Sequence, residues 1–105
     1  MIIHCNKLVR DKIPEIIDLD GYGCITEILS NDEYLKLLNE KLDEEVAEYH
    51  RDGTIEELAD IVEVIYAIVI AKGFSVDELE KIRIHKLHSR GGFEKKIYLS
   101  QMYTK

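Results

Sequence analysis

No apolar run in this 105-residue chain exceeds eight residues (Val64 to Ala71), far short of the ~20 that a membrane-spanning helix needs. A membrane partner is therefore not expected. The opening stretch MIIHCNKLVRDK lacks a basic region ahead of a long apolar segment, and lacks a small-residue cleavage site, so it does not read as a secretory signal. Cysteine is nearly absent. Cys5 and Cys24 stand alone without a CxxC pair or zinc-type spacing, which suits two reduced thiols in a cytoplasmic protein. Repeats and low-complexity tracts are also missing. What remains is a 46% hydrophobic chain, long enough for one compact domain spanning residues 1–105 and too short for two.

Basic residues are scarce in the middle. Between Glu15 and Glu80 there are 19 acidic residues against four basic ones, Lys36, Lys41, Arg51 and Lys72. The ends reverse the balance, with Lys7, Arg10 and Lys12 at one and Lys81, Arg83, Lys86, Arg90, Lys95, Lys96 and Lys105 at the other. The net charge of −7 disfavours nucleic acid as a partner. An acidic centre between basic flanks suits a site where carboxylates hold a cation and Lys or Arg hold an anion.

The pattern of caps and breakers predicts an all-α bundle. Asn6 to Asp18 reads as a lead-in with a short helix near Pro14, and proline suits a first turn. Gly21 to Gly23 forms a turn, and Cys24 to Ser30 reads as a short extended segment. Ser30, with Glu33 three residues on, opens a long helix to about Arg51. Thr54 with Glu57 opens a second helix to Lys72, which Gly73 ends. Ser75 with Glu78 opens a third to about Arg90, closed by Gly91-Gly92, and Phe93 to Tyr103 is a tail.

Placed on these helices, the acids lie in unusual positions. Tyr34, Leu35, Leu38, Leu42, Val46 and Tyr49 share an arc, and at ~100° per residue Glu45 falls inside it, with Glu44 and Glu48 along its edge. The second helix is apolar around most of its circumference, except for a stripe of Glu56, Glu57, Asp60 and Glu63. Such a helix must be covered on most sides, so its stripe lines a cleft or is partly buried. Glu45 and Glu48, like Glu57 and Asp60, are three apart and project from one face. Two antiparallel helices joined by a short turn would offer these four carboxylates to one space. Crowded there, they need a cation to offset repulsion and desolvation. Oxygen-only ligands fit Mg²⁺ or Mn²⁺ and not zinc. A solvated acidic face is the alternative. His85 and His88, three apart on the third helix, lack a further ligand nearby in sequence and read as solvated or phosphate-facing.

The stretch EEVAE, followed after a short gap by ELAD, resembles the metal-binding signature of the MazG-like all-α nucleotide pyrophosphohydrolases. The flanks NKLVRDKIPEII and RGGFEKKIYL resemble the phosphoribosyl-ATP pyrophosphohydrolase-like branch of that group. The likeness covers most of the chain and is weakest from Asp18 to Cys24. Carried over, it sets Glu45 and Glu48 on the first acidic pair and Glu57 and Asp60 on the second, as ligands of Mg²⁺ or Mn²⁺. It implies hydrolysis of a nucleoside triphosphate or related nucleotide to a monophosphate and pyrophosphate, with attack at the α or the β phosphorus left open. Glu44 and Glu48 are the candidates to orient or deprotonate the water. No glycine-rich phosphate cradle is present, so Lys7, Arg10, Lys12, Lys86 and Arg90 are the candidate phosphate ligands.

The apolar girth of the second helix also predicts a homo-oligomer, a dimer or a tetramer, that buries Val62, Ile65 and Val69 and completes the fold. The resemblance points the same way. Two other readings compete: the dedicated phosphoribosyl-ATP enzyme of histidine biosynthesis, and a non-catalytic helical interaction module whose acidic stripe binds a basic partner.

Overall fold

A computed structural model describes all residues from Met1 to Lys105. It holds four α-helices and no strand: α1 (Ile13–Leu19), α2 (Asn31–Asp52), α3 (Ile55–Ala71) and α4 (Val76–Arg90). By its internal contacts the chain divides into two compact units, Met1–Phe74 and Ser75–Lys105.

Each long helix starts where a hydroxyl satisfies an otherwise orphaned amide. The Glu33 N–H donates to Ser30 Oγ at 3.3 Å, the Glu57 N–H to Thr54 Oγ1 at 3.3 Å, and the Glu78 N–H to Ser75 Oγ at 3.1 Å. Pro14 sits in the first turn of α1, as expected of a residue without an N–H. The extended segment expected at Cys24 to Ser30 has no regular structure. Ile25 and Ile28 there are fully exposed, and a lone strand without a sheet edge to pair with has nothing to hold it.

In the first unit α2 packs on α3. Gly53 makes the tight reversal possible. At φ +67° it occupies the left-handed region, and its N–H donates to Tyr49 O at 2.8 Å. Thr54 follows at once as the cap of α3, so the two helices run antiparallel as neighbours. The buried residues of α2 are Leu38 and Glu45, and that of α3 is Val64. Leu38 and Glu45 are seven apart, two turns along one face, and Glu57, Asp60 and Val64 occupy positions i, i+3 and i+7 of α3. The acids thus lie within the packing stripe itself. Val62 and Ile70 of α3 remain exposed.

In the second unit α4 has no buried residue. Its order is local: the Ser75 cap, the Gly91 N–H bond to Leu87 O at 2.9 Å, and an ion pair between Arg83 and Glu80 at 2.7 Å. No helix of the protein is long and apolar enough to cross a membrane.

Candidate functional site

The α2–α3 reversal brings three carboxylates together. One oxygen from each of Glu45, Glu57 and Asp60 lies within 4.8 Å of the others. Glu45 is about nine-tenths buried, with 9% of its surface exposed, while Glu57 and Asp60 are half-buried. Glu45 Oε2 and Glu57 Oε2 are both shut off from solvent and make no hydrogen bond. A buried carboxylate oxygen without a donor carries a desolvation cost that some cation or proton must offset.

The electrostatics register that cost. Burial, then a hydrogen bond and charge repulsion from Glu48, hold the Glu45 carboxyl above the usual glutamate range; Lys41 opposes the shift and Asp60 adds to it. Glu57 is raised as well, first by burial, then by the charges of Glu48, Asp52 and Asp60, with a side-chain hydrogen bond to Asp52 adding to them. Glu48 thus acts on the group through its charge, which raises both Glu45 and Glu57. Glu44 is exposed on α2, as are Glu56 and Glu63 on α3.

Basic groups approach from one side. A hollow of about 200 Å³ is lined by Lys7, Arg10, Ile13, Lys41, Glu45 and Asp60 among others. Arg10 Nη2 donates to Asp60 Oδ1 at 2.7 Å, with the two side chains 56% and 40% exposed. Lys41 Nζ lies 3.7 Å from Glu45 Oε1. The arrangement therefore joins a cluster of hard oxygen donors to a ledge of cations, one suited to a divalent ion and the other to an anion.

Of the residues singled out in the sequence, the structure brings together Lys7, Arg10, Glu45, Glu48, Glu57 and Asp60. Lys12 is exposed and precedes α1, outside the hollow's lining. Lys86, Arg90, His85 and His88 belong to α4 in the second unit, and all are exposed. Two contributors escaped the sequence reading. Lys41 stands four residues before Glu45, a spacing that signals an intrahelical pair. Asp52 stands seven after Glu45 and so extends the same face toward Glu57.

Comparison with known proteins yields a partial likeness. No protein-family model matches the chain, and no solved structure matches it. A protein of Mycolicibacterium smegmatis described as uncharacterized is 48% identical over 54 residues, covering 48% of this chain and 55% of that protein. The match thus spans about half the relative's length.

Proposed function

We propose that the protein is a Mg²⁺-dependent nucleotide pyrophosphohydrolase, converting a nucleoside triphosphate or related nucleotide to the monophosphate and pyrophosphate. The observation that carries this reading is the pair of buried, unpartnered oxygens on Glu45 and Glu57, two members of a three-carboxylate cluster. The donor set fits a hard divalent cation: all oxygen, anionic, with no sulfur or imidazole. Glu45, Glu57 and Asp60 would hold it, with Glu48 beside them. A bound Mg²⁺ would screen phosphate charge and acidify a water molecule.

The chain's own residues supply the rest. Lys7 and Arg10 line the hollow next to the acids and can receive the phosphate tail as charge-assisted donors. Glu48, half-buried and close enough for its charge to raise Glu45 and Glu57, is the group that takes the proton from the attacking water. The water oxygen joins the α or the β phosphorus, the oxygen bridging the two leaves with its electron pair, and monophosphate and pyrophosphate separate. Apolar side chains left exposed on α3, among them Leu58, Val62 and Ile70, support a homo-oligomer with a dimer as its smallest unit.

A panel of nucleoside triphosphates, scored for pyrophosphate against orthophosphate with and without Mg²⁺, tests the reading. Turnover to pyrophosphate only with a divalent cation is expected. Glu45→Gln, Glu48→Gln, Glu57→Gln and Asp60→Asn should each cost on the order of a hundredfold, and exposed Glu56→Gln and Glu63→Gln far less. Equal losses at all six positions would favour a generally acidic groove. Absence of turnover under any metal would leave the interaction-module reading in its place.

A further inference from the structure

The Arg10–Asp60 pair sets a basic side chain on the group that the proposed cation must also use. Three features make this pair different from an incidental surface contact. First, Asp60 is one of the three carboxylates whose oxygens converge within 4.8 Å, and the two buried oxygens of its neighbours, Glu45 Oε2 and Glu57 Oε2, have no donor. Arg10 therefore neutralises Asp60, the member of the cluster with which the lead-in forms its ion pair. Second, the two cations paired with the cluster differ in freedom. Lys41 is anchored within α2, its side chain only 22% exposed beside Glu45. Arg10 lies ahead of α1, fixed through its backbone by the Ile13 N–H to Arg10 O bond at 3.1 Å, while its side chain is 56% exposed. The backbone is held and the long side chain can swing. Third, Lys7 lines the same hollow, so a guanidinium released from Asp60 still faces a ledge suited to an anion.

We propose that Arg10 exchanges partners: in the metal-free protein it is the counter-cation of Asp60, and divalent-ion binding displaces it and frees its guanidinium for the phosphate oxygens of the substrate. This rests on the metal-site reading above. The physical reason is competition between charges. A divalent ion on Asp60 competes with the arginine for the charge of the same carboxylate, and two cations there repel. An exposed ion pair is weak, so the exchange is inexpensive. Once displaced, the arginine offers a planar fork of donors that matches phosphate geometry. Order of binding follows: metal first, then the anionic substrate, with the charge of Arg10 moved from one to the other.

The test uses the whole chain, Mn²⁺ and inorganic tripolyphosphate as probes, and calorimetric binding in place of turnover. Arg10→Ala should bind Mn²⁺ about two- to fivefold more tightly than the parent, the range expected for loss of an exposed competing ion pair. At saturating Mn²⁺ the same variant should bind tripolyphosphate about tenfold more weakly or worse, as expected for a lost charge-assisted hydrogen bond. Arg10→Gln, which keeps a polar side chain of similar length, should show the same opposite signs and guards against a folding defect in the alanine variant. A merely structural arginine would weaken both affinities or alter neither, and either result overturns the exchange. If the parent itself takes up no Mn²⁺, or if Asp60→Asn takes it up as the parent does, the metal-site reading fails. Parent binding with an unchanged Arg10 variant defeats the exchange alone.

Discussion

Glu45 and Glu80 are the same residue type on two helices of one small protein, and their surroundings push them in opposite directions. On α4 the Arg83 guanidinium, 2.7 Å away and one turn along, holds the Glu80 carboxyl below the usual glutamate range. On α2 burial and the carboxyl of Glu48 hold Glu45 above it. The first arrangement is an ordinary solvated helix face in which charge is balanced within a turn. The second gathers like charge in the stripe that packs against a neighbour. A helix balances charge locally where it can, and an unbalanced cluster at a packed face is a candidate binding site.

The largest expected contrast is in stability. Leu38 is 3% exposed, the most buried apolar side chain of the first unit, and Leu38→Ala should destabilise by about 2–5 kcal/mol. Leu87 on α4 is 44% exposed, and Leu87→Ala should cost a small fraction of that. Urea titrations of both variants decide the matter; equal losses would mean that α4 is packed in solution as α2 and α3 are, for instance within an oligomer.

The two glutamates should also respond to pH with opposite signs. A carboxyl raised in the folded state binds its proton more readily there than in the unfolded chain. The stability that Glu45 and Glu57 contribute is therefore fully present below the ordinary glutamate value and is lost as pH rises through their raised values. Glu80 contributes above the ordinary value and loses its part as pH falls through its lowered one. Because Glu80 pairs with an exposed arginine on a solvated face, the acid cluster should dominate. In chelator-treated buffer the protein should become more stable on mild acidification from neutral pH, and Glu45→Gln should flatten that slope. A slope unchanged in Glu45→Gln would mean that this carboxyl is not strained by its neighbours.

Much of this was legible in the letters. Ser30, Thr54 and Ser75 each mark a helix start by the physics of unsatisfied amides, and Gly53 marks the reversal, so the helices were readable almost to the residue. Glu45 betrayed itself as a charge in an apolar arc, and Glu57 with Asp60 as acids on a helix otherwise apolar. The long-range pair Arg10–Asp60 was not legible. The two residues lie 50 positions apart, and no periodicity links a loop to a helix face; only the path of the lead-in past α3 joins them. Cys24 to Ser30 forms no paired strand for a related reason, since its apolar and β-branched residues say nothing about whether a partner strand exists.

A more modest effect sharpens the comparison at the turn. Gly53→Ala has open space around its new methyl group, so only the left-handed backbone at φ +67° opposes it, and the loss should be about 1–2 kcal/mol. A larger loss in the presence of Mg²⁺ than in its absence would tie the turn's geometry to the acid cluster on either side.

Thermal unfolding of the parent, Glu56→Gln and Asp60→Asn across a Mg²⁺ titration tests the central claim most directly. At concentrations well above Kd, Mg²⁺ should stabilise the parent and Glu56→Gln by about 2–3 kcal/mol, because it binds only the folded protein. Asp60→Asn should lose most of that gain while its metal-free form is as stable as the parent or more so, a repelling charge having been removed. An Asp60→Asn variant that shows the parent's full Mg²⁺-dependent shift, or a parent that shows none, would contradict the assignment of Glu45, Glu57 and Asp60 as a divalent-cation site.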